Sequence, residues 1–152
     1  PPRSTLFPYT TLFRSMDDKT QHPINAAYRG TLMDTLGITF THLSPGRTEA
    51  VMQVDKRVCQ PFGLLHGGAT LALAESVAGQ GSLTLCAPDE MAAGIQVSGN
   101  HISPAKEGDQ VHAVGTLVHQ GRSSHIWNID IFTSAGRLVS TVRVVNSILK
   151  RK

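Results

Sequence analysis

Cysteine is scarce in this chain: Cys59 and Cys86 are the only two among 152 residues. No charged-then-apolar signal layout precedes them, so both are expected as free thiols in a reducing cytoplasm rather than as a bridge. Long apolar runs are missing as well. None approaches the ~20 residues that cross a bilayer, which leaves no expected membrane partner. Charge is modest at 16%, and with 40% hydrophobic residues the composition is globular rather than disordered. The balance of 14 basic against 11 acidic residues shrinks on inspection. Arg3 and Arg14 sit in PPRSTLFPYTTLFRS, ahead of Met16, and residues 1–15 are expected to be a non-native leader or disordered; the rest holds 12 basic and 11 acidic residues. Aromatics make up 5%, with no basic stripe interleaved among them, so a nucleic-acid partner is not expected. No histidine pair has zinc-like spacing with a third ligand, so no metal is expected. No G-x-S-x-G elbow supports a serine triad, and no repeat or low-complexity tract is present.

What is present fits one domain over residues 16–152. INAAYRGTLMDTLG (24–37) reads as a short amphipathic helix stopped by Gly37. ITFTHL and TEAVMQVD read as strands joined by SPGR. The segment from His66 to about Leu85 is too long for a strand, and its alanines and leucines favour helix. From there the pattern has period two. GIQVSGNHIS, QVHAVGTLVH, HIWNIDIFTS and RLVSTVRVVNSIL are four strands separated by KEGD, QGRSS and SAGR, and three short connections in a row predict hairpins. Trp127 is expected in the core. His42, His112, His119 and His125 are expected at the surface or an interface. Gly67, Gly68, Ala69, Ala72, Ala74, Ser76, Ala78, Gly79 and Gly81 make the long helix thin, as one embraced by a bent sheet needs to be. The expected class is α+β: an antiparallel sheet of five to six strands wrapped around one long central helix, with a short N-terminal helix.

The chemistry concentrates in PFGLLHGGATLALAES, residues 61–76. His66-Gly67-Gly68 stands where the long helix begins, and a helix's first turn offers free N–H groups and a partial positive charge. Such a terminus suits a phosphate, a carboxylate or the oxyanion of an acyl-transfer intermediate. The glycines also fit a plain tight loop, and GLLHGG is neither a P-loop nor a dinucleotide fingerprint. Glu75 has Leu71, Ala72, Ala78 and Gly79 as helical neighbours, none able to neutralise it. Either it faces solvent or pairs with a distant arginine, or it is a site carboxylate acting as base or nucleophile. Glu75 lies eight residues past Gly67, ~12 Å along the axis. A carbonyl held at Gly67 is hard for the same helix's Glu75 to reach, so if both act on one substrate a site shared with a second subunit, its helix running the other way, is the natural prediction.

QPFGLLHGGATLALAES, with NHISPAKEG and HQGRSSHIWNIDIF downstream, resembles the hotdog-fold acyl-CoA thioesterases. The likeness is greatest to the glutamate-dependent branch that holds the 4-hydroxybenzoyl-CoA, 1,4-dihydroxy-2-naphthoyl-CoA and enterobactin-proofreading thioesterases. It runs from about residue 30 to 149. The resemblance implies hydrolysis of an acyl-CoA, aryl or naphthoyl in preference, with CoA as part of the substrate and no separate cofactor. Glu75 becomes the catalytic carboxylate, the Gly67 N–H polarises the carbonyl, and His66 and Gln60 position it. The CoA arm runs past Gly94, His101 and Ser103 and the turn His119, Gln120, Gly121, Arg122, Ser123 and Ser124. The implied assembly is a tetramer of two hotdog dimers. Two positions depart from the pattern. Gly79 stands where relatives of this branch commonly carry Ser or Thr, and Ile102-Ser103-Pro104 follow His101 where many carry an arginine. The phosphate contact then falls to Lys106 or Arg122. A non-catalytic acyl-CoA-binding protein and an enoyl-CoA hydratase of the same fold are the alternatives.

Overall fold

Period two from Glu90 onward becomes strand almost without interruption in the computed structural model, which describes residues 22–152. The stretch 1–15 expected as a leader lies outside the described residues, as do 16–21 of the expected domain. The strands are β1 (Ile38–Ser44), β2 (Arg47–Gln53), β3 (Glu90–His101), β4 (Gln110–Gln120), β5 (Ser124–Thr133) and β6 (Leu138–Lys150). They form one antiparallel sheet in the order β1-β2-β4-β5-β6-β3. The long helix α2 (Gly67–Leu83) packs on the concave face, in contact with all six strands. This is the hotdog architecture.

Two expectations need correction. The single helix over 24–37 is two pieces, a 3-10 turn Pro23–Tyr28 and a five-residue helix α1 (Leu32–Leu36). Gly30 between them takes φ +75°, a left-handed conformation that ends the first piece, and its N–H donates to Asp34 Oδ2 at 2.8 Å. Gly37 does stop α1, in the left-handed cap at φ +70°. The second correction concerns KEGD. It does not join a hairpin, because β3 lies at the sheet edge beside β6 while β4 pairs with β2. Segment 102–109 is long enough to cross the sheet's mouth, where Leu65 N–H donates to Ala105 O at 2.7 Å and Leu64 bridges Lys106. The other two connections are hairpins.

Alternation sets the core. Trp127, Ile129 and Ile131 of β5 are fully buried and face α2, while Asn128 and Asp130 point to the convex side. Trp127 Nε1 donates to Ser82 Oγ at 2.9 Å, and Asn146 Nδ2 donates to the same oxygen at 2.9 Å and to Ala78 O at 3.0 Å. The thinness of α2 has a local cause at some positions and none at others. A Cβ on Gly81 would stand 2.6 Å from the Trp127 ring and 2.8 Å from Thr48 Oγ1, whereas a Cβ on Gly79 would meet nothing within 4 Å. His112 and His125 are also corrected: they are 5% and 3% exposed, buried against neighbouring strands, while His42 and His119 are exposed as expected.

Candidate active site at the helix start and the edge strand

Helix α2 starts where its sequence provides a cap. His66 holds an extended backbone (φ −69°, ψ 132°), and its Nδ1 accepts the Gly68 N–H at 2.8 Å. That satisfies one of the first-turn donors and leaves the Gly67 N–H without an intrahelical acceptor. Gly67 needs to be glycine for a second reason: the His101 ring lies against it, with Nε2 2.6 Å from where a Cβ would be. The ring is held from behind by Ser140, fully buried, whose Oγ is 2.8 Å from Nδ1.

From this end α2 runs antiparallel to β3. Gly67 lies at His101, Leu71 packs on Gly99, and Glu75 lies over Gly94, where its Oε1 occupies the space a Cβ would take. Gly67 and Glu75 are thus at opposite ends of the same helix–strand contact. On β3 the seven steps between His101 and Gly94 span about 20 Å. Glu75 is exposed in the single chain, and among the described residues it joins no ion pair. Of the alternatives read from the sequence, one chain by itself shows a solvent-facing carboxylate with no arginine beside it.

The remaining expected residues divide between the same two ends. Gln60, His66, Gly67, His101 and Ser103 gather at the helix start. Gln60 Oε1 accepts the Phe62 N–H, and Ser103 Oγ donates to Leu138 O. A cavity of about 270 Å³ opens there, with Gln60, Thr70, His101, Ser103 and Ser140 among its lining. Lys106 lies at this end too, and is exposed. His119, Gln120, Gly121, Arg122, Ser123 and Ser124 form the β4–β5 turn at the other end. There Gly121 N–H donates to Ser124 O at 2.8 Å, and Ser124 pairs across to Ser147, itself paired with Ala93 next to Gly94. One chain therefore does not bring Glu75, Gly94 and the 119–124 turn to Gly67, His101 and Gln60.

Edge strand β3 offers what could. Its free side is unpaired within the chain, and most of its twelve residues are exposed, including Ile95 at 65%. A bulge at Ile95 shifts the register between Gly94 and Gln96, so Gly94, Val97, Gly99 and His101 face the helix while Gln96, Ser98 and Asn100 face away.

Sequence reasoning missed Ser140. Its signal was present, since Ser140 and Asn146 interrupt the inward-facing valines of β6, but nothing in the spacing tied Ser140 to a histidine 39 residues away. Among the described residues, no three His, Cys, Asp or Glu side chains come together to hold a metal ion. No described helix is long and apolar enough to cross a membrane. Cys59 and Cys86 are both free and half-buried.

The family model for the thioesterase superfamily matches residues 62–140. The chain is 37% identical over 130 residues to the 1,4-dihydroxy-2-naphthoyl-CoA hydrolase of Escherichia coli, covering 86% of this chain and 95% of that protein. It is 38% identical over 130 residues to the proofreading thioesterase EntH of Cronobacter sakazakii, covering 86% and 94%. Among solved structures, a mutant thioesterase from Pseudomonas aeruginosa superposes with a TM-score of 0.81 at 31% identity, covering 91% of this chain and 99% of that one. A thioesterase from Haemophilus influenzae gives 0.80 at 29% identity, covering 90% and 93%.

Proposed function

The chain belongs to the thioesterase superfamily, and on that premise we propose that it hydrolyses an aryl- or naphthoyl-CoA in a site shared by two copies of the chain. The observation that carries this reading is the antiparallel run of α2 over β3, with Gly67 at His101 and Glu75 at Gly94. A two-fold axis beside β3 converts that separation into proximity. In antiparallel pairing, opposed residues share a face. With the axis at Ser98, Val97 faces the partner's Gly99 and Gln96 the partner's Asn100. Stepping across the Ile95 bulge then sets Gly94, with Glu75 above it, opposite the partner's His101 and hence its Gly67. The 119–124 turn, next to Gly94 in the sheet, travels with Glu75 to the same place. The dimer is the smallest active unit, and two dimers forming a tetramer is the expected assembly.

In this arrangement the Gly67 N–H and the helix dipole stabilise negative charge on the thioester oxygen. His66, occupied with the Gly68 N–H, holds the first turn in shape, and Gln60 lines the approach. Glu75 of the other protomer acts on the carbonyl carbon, either by taking a proton from an attacking water or by attacking directly. Collapse of the tetrahedral intermediate expels the CoA thiolate, which is protonated; with water as nucleophile this leaves the acid, and with Glu75 as nucleophile it leaves an acyl–glutamate anhydride that a water then hydrolyses to the acid and the free carboxylate. The CoA arm lies along Gly94, His101, Ser103 and the 119–124 turn, with Arg122 or Lys106 as the phosphate partner. The identity of E. coli's 1,4-dihydroxy-2-naphthoyl-CoA hydrolase to this chain supports a bicyclic aryl substrate.

Thiol release from benzoyl-, naphthoyl- and medium-chain acyl-CoA tests the reading. Hydrolysis is expected for the aryl substrates, with turnover of a Glu75→Gln variant down ~10²-fold or more at unchanged folding. Enoyl absorbance that changes without thiol release would identify a hydratase instead. Binding without turnover would identify a non-catalytic protein.

A further inference from the structure

The ring of His101 is gripped at one nitrogen and open at the other. Nδ1 lies 2.8 Å from Ser140 Oγ, while Nε2, on the Gly67 side of the ring, hydrogen-bonds to no described residue. Ser140 sits opposite His101 in the β3–β6 ladder and opposite Ile131 in the β5–β6 ladder. It is fully buried, and its neighbours Ile131, Val139 and Val142 are buried and apolar. These surroundings decide where the shared hydrogen lies. A serine hydroxyl carries one hydrogen, and a buried hydroxyl needs an acceptor for it. Among the described residues the Ser140 side chain has no hydrogen-bond partner besides His101, and at 0% exposure it is out of reach of bulk water. Nδ1 is therefore the acceptor. In a neutral imidazole that leaves the ring hydrogen on Nε2, as a donor facing the helix start.

Resting on the thioesterase reading above, we infer that His101 Nε2–H gives the thioester oxygen a second donor beside the Gly67 N–H, and that Ser140 is the positioning residue that fixes the tautomer and the aim of the ring. Nε2 would stand 2.6 Å from a Cβ at Gly67, which puts it within reach of an oxygen bound to the Gly67 N–H. The next amide along the helix cannot take this part, because the Gly68 N–H is already held by His66 Nδ1 at 2.8 Å. Two convergent donors stabilise the oxygen most as its charge develops, so their effect falls on kcat rather than on KM. A side chain free to turn loses its aim, and misplacement of a catalytic group by about 1 Å can slow a reaction ~10²-fold. The Ser140 hydroxyl prevents that turning by occupying Nδ1 from behind.

Two measurements on the purified full-length protein test this. Nitrogen NMR spectra of the histidine rings, taken at mildly alkaline pH where imidazoles are neutral, read the tautomer without reference to activity. His101, assigned by the resonance that disappears in His101→Leu, is expected to carry its hydrogen on Nε2 and to accept at Nδ1. The second measurement is a double-mutant cycle on thiol release from naphthoyl-CoA. His101→Leu is expected to lower kcat ~10²-fold and Ser140→Ala ~10-fold, with much smaller changes in KM. In the His101→Leu background, Ser140→Ala is expected to lower kcat no further, because its effect runs through the ring. A hydroxyl that only fills the core would lower kcat equally in both backgrounds. If Ser140→Ala fails to fold, the tautomer and His101→Gln decide, since an amide nitrogen placed where Nε2 stood is expected to recover part of the rate lost in His101→Leu. A hydrogen on Nδ1, a Ser140→Ala loss that persists in full without His101, or losses confined to KM overturns the proposal while thiol release by the unaltered protein keeps the thioesterase reading. Release of no thiol from any acyl-CoA by the unaltered protein removes both.

Discussion

At Gly67 two requirements meet on one residue, a free amide hydrogen and no side chain, and a pair of substitutions separates them. Gly67→Ala keeps the N–H and adds a Cβ that pushes the His101 ring aside. Gly67→Pro adds the same carbon and deletes the hydrogen. The first helical position tolerates proline, and the extended backbone of His66 (ψ 132°) is what a residue before proline requires. If the amide stabilises the oxyanion, kcat for Gly67→Pro falls ~10²-fold below that of Gly67→Ala, with helix content unchanged by circular dichroism. Equal rates in the two variants would remove the amide from the mechanism. The need for glycine here was legible in HGG, since a ligand oxygen or a close neighbour was the natural reason for it. The neighbour itself, His101, was not, because contact across 34 residues depends on how β3 lies along the helix. Glu75 was legible as a lone carboxylate among small and apolar residues, and its exposure within one chain is one of the alternatives the sequence left open.

At the scale of the element, α2 carries glycines of two kinds. Gly81→Ala forces a carbon against the Trp127 ring, which has no room to move, and is expected to destabilise by about 1–3 kcal/mol. Gly79→Ala meets open space and is expected to stabilise by up to about 1 kcal/mol through helix propensity. Chemical denaturation of both variants checks the contrast. The sequence marked α2 as thin but could not say which glycine was thin for packing's sake, since both lie in the same small-residue run. Strands were legible from their alternation, and the split of 24–37 was hidden because Gly30 sits inside a continuous amphipathic pattern. The edge position of β3 was hidden because KEGD looks like a hairpin turn. Only its pairing across the mouth, with Leu64 and Leu65, reveals a crossover.

At the scale of the whole molecule, stability depends on pH and the proposed site depends on a second copy of the chain. Burial lowers the His125 pKa, so the folded state holds this side chain neutral where the unfolded chain, titrating near 6.5, takes up a proton. Its contribution is complete above pH ~6.5 and is lost as pH falls toward the folded value. Glu49 behaves similarly at lower pH. Burial raises its pKa, but the His112 hydrogen bond and Arg47 outweigh that and hold it below the ordinary carboxylate range. Thermal midpoints are therefore expected to be flat from pH 8 to about 7 and to decline below about 6.5, with a shallower decline in His125→Gln. A midpoint that rises on acidification would contradict this. The partner is tested by Ser98→Cys. In the proposed dimer, with its two-fold axis at Ser98, the two copies of this residue would lie directly opposite each other within disulfide reach, and mild oxidation is expected to give a cross-linked dimer. Cysteine at Asn100 serves as the comparison and is expected to link poorly. The shared site itself is tested most directly by mixing two inactive proteins, Glu75→Gln and Gly67→Pro, through co-expression. Each mixed dimer rebuilds one complete site from the intact Glu75 of one protomer and the intact Gly67 of the other. Thiol release is expected to return to about a quarter of the unaltered enzyme's rate. A mixture as inactive as its two parents, with mixed dimers shown to form, would contradict a site made by two chains.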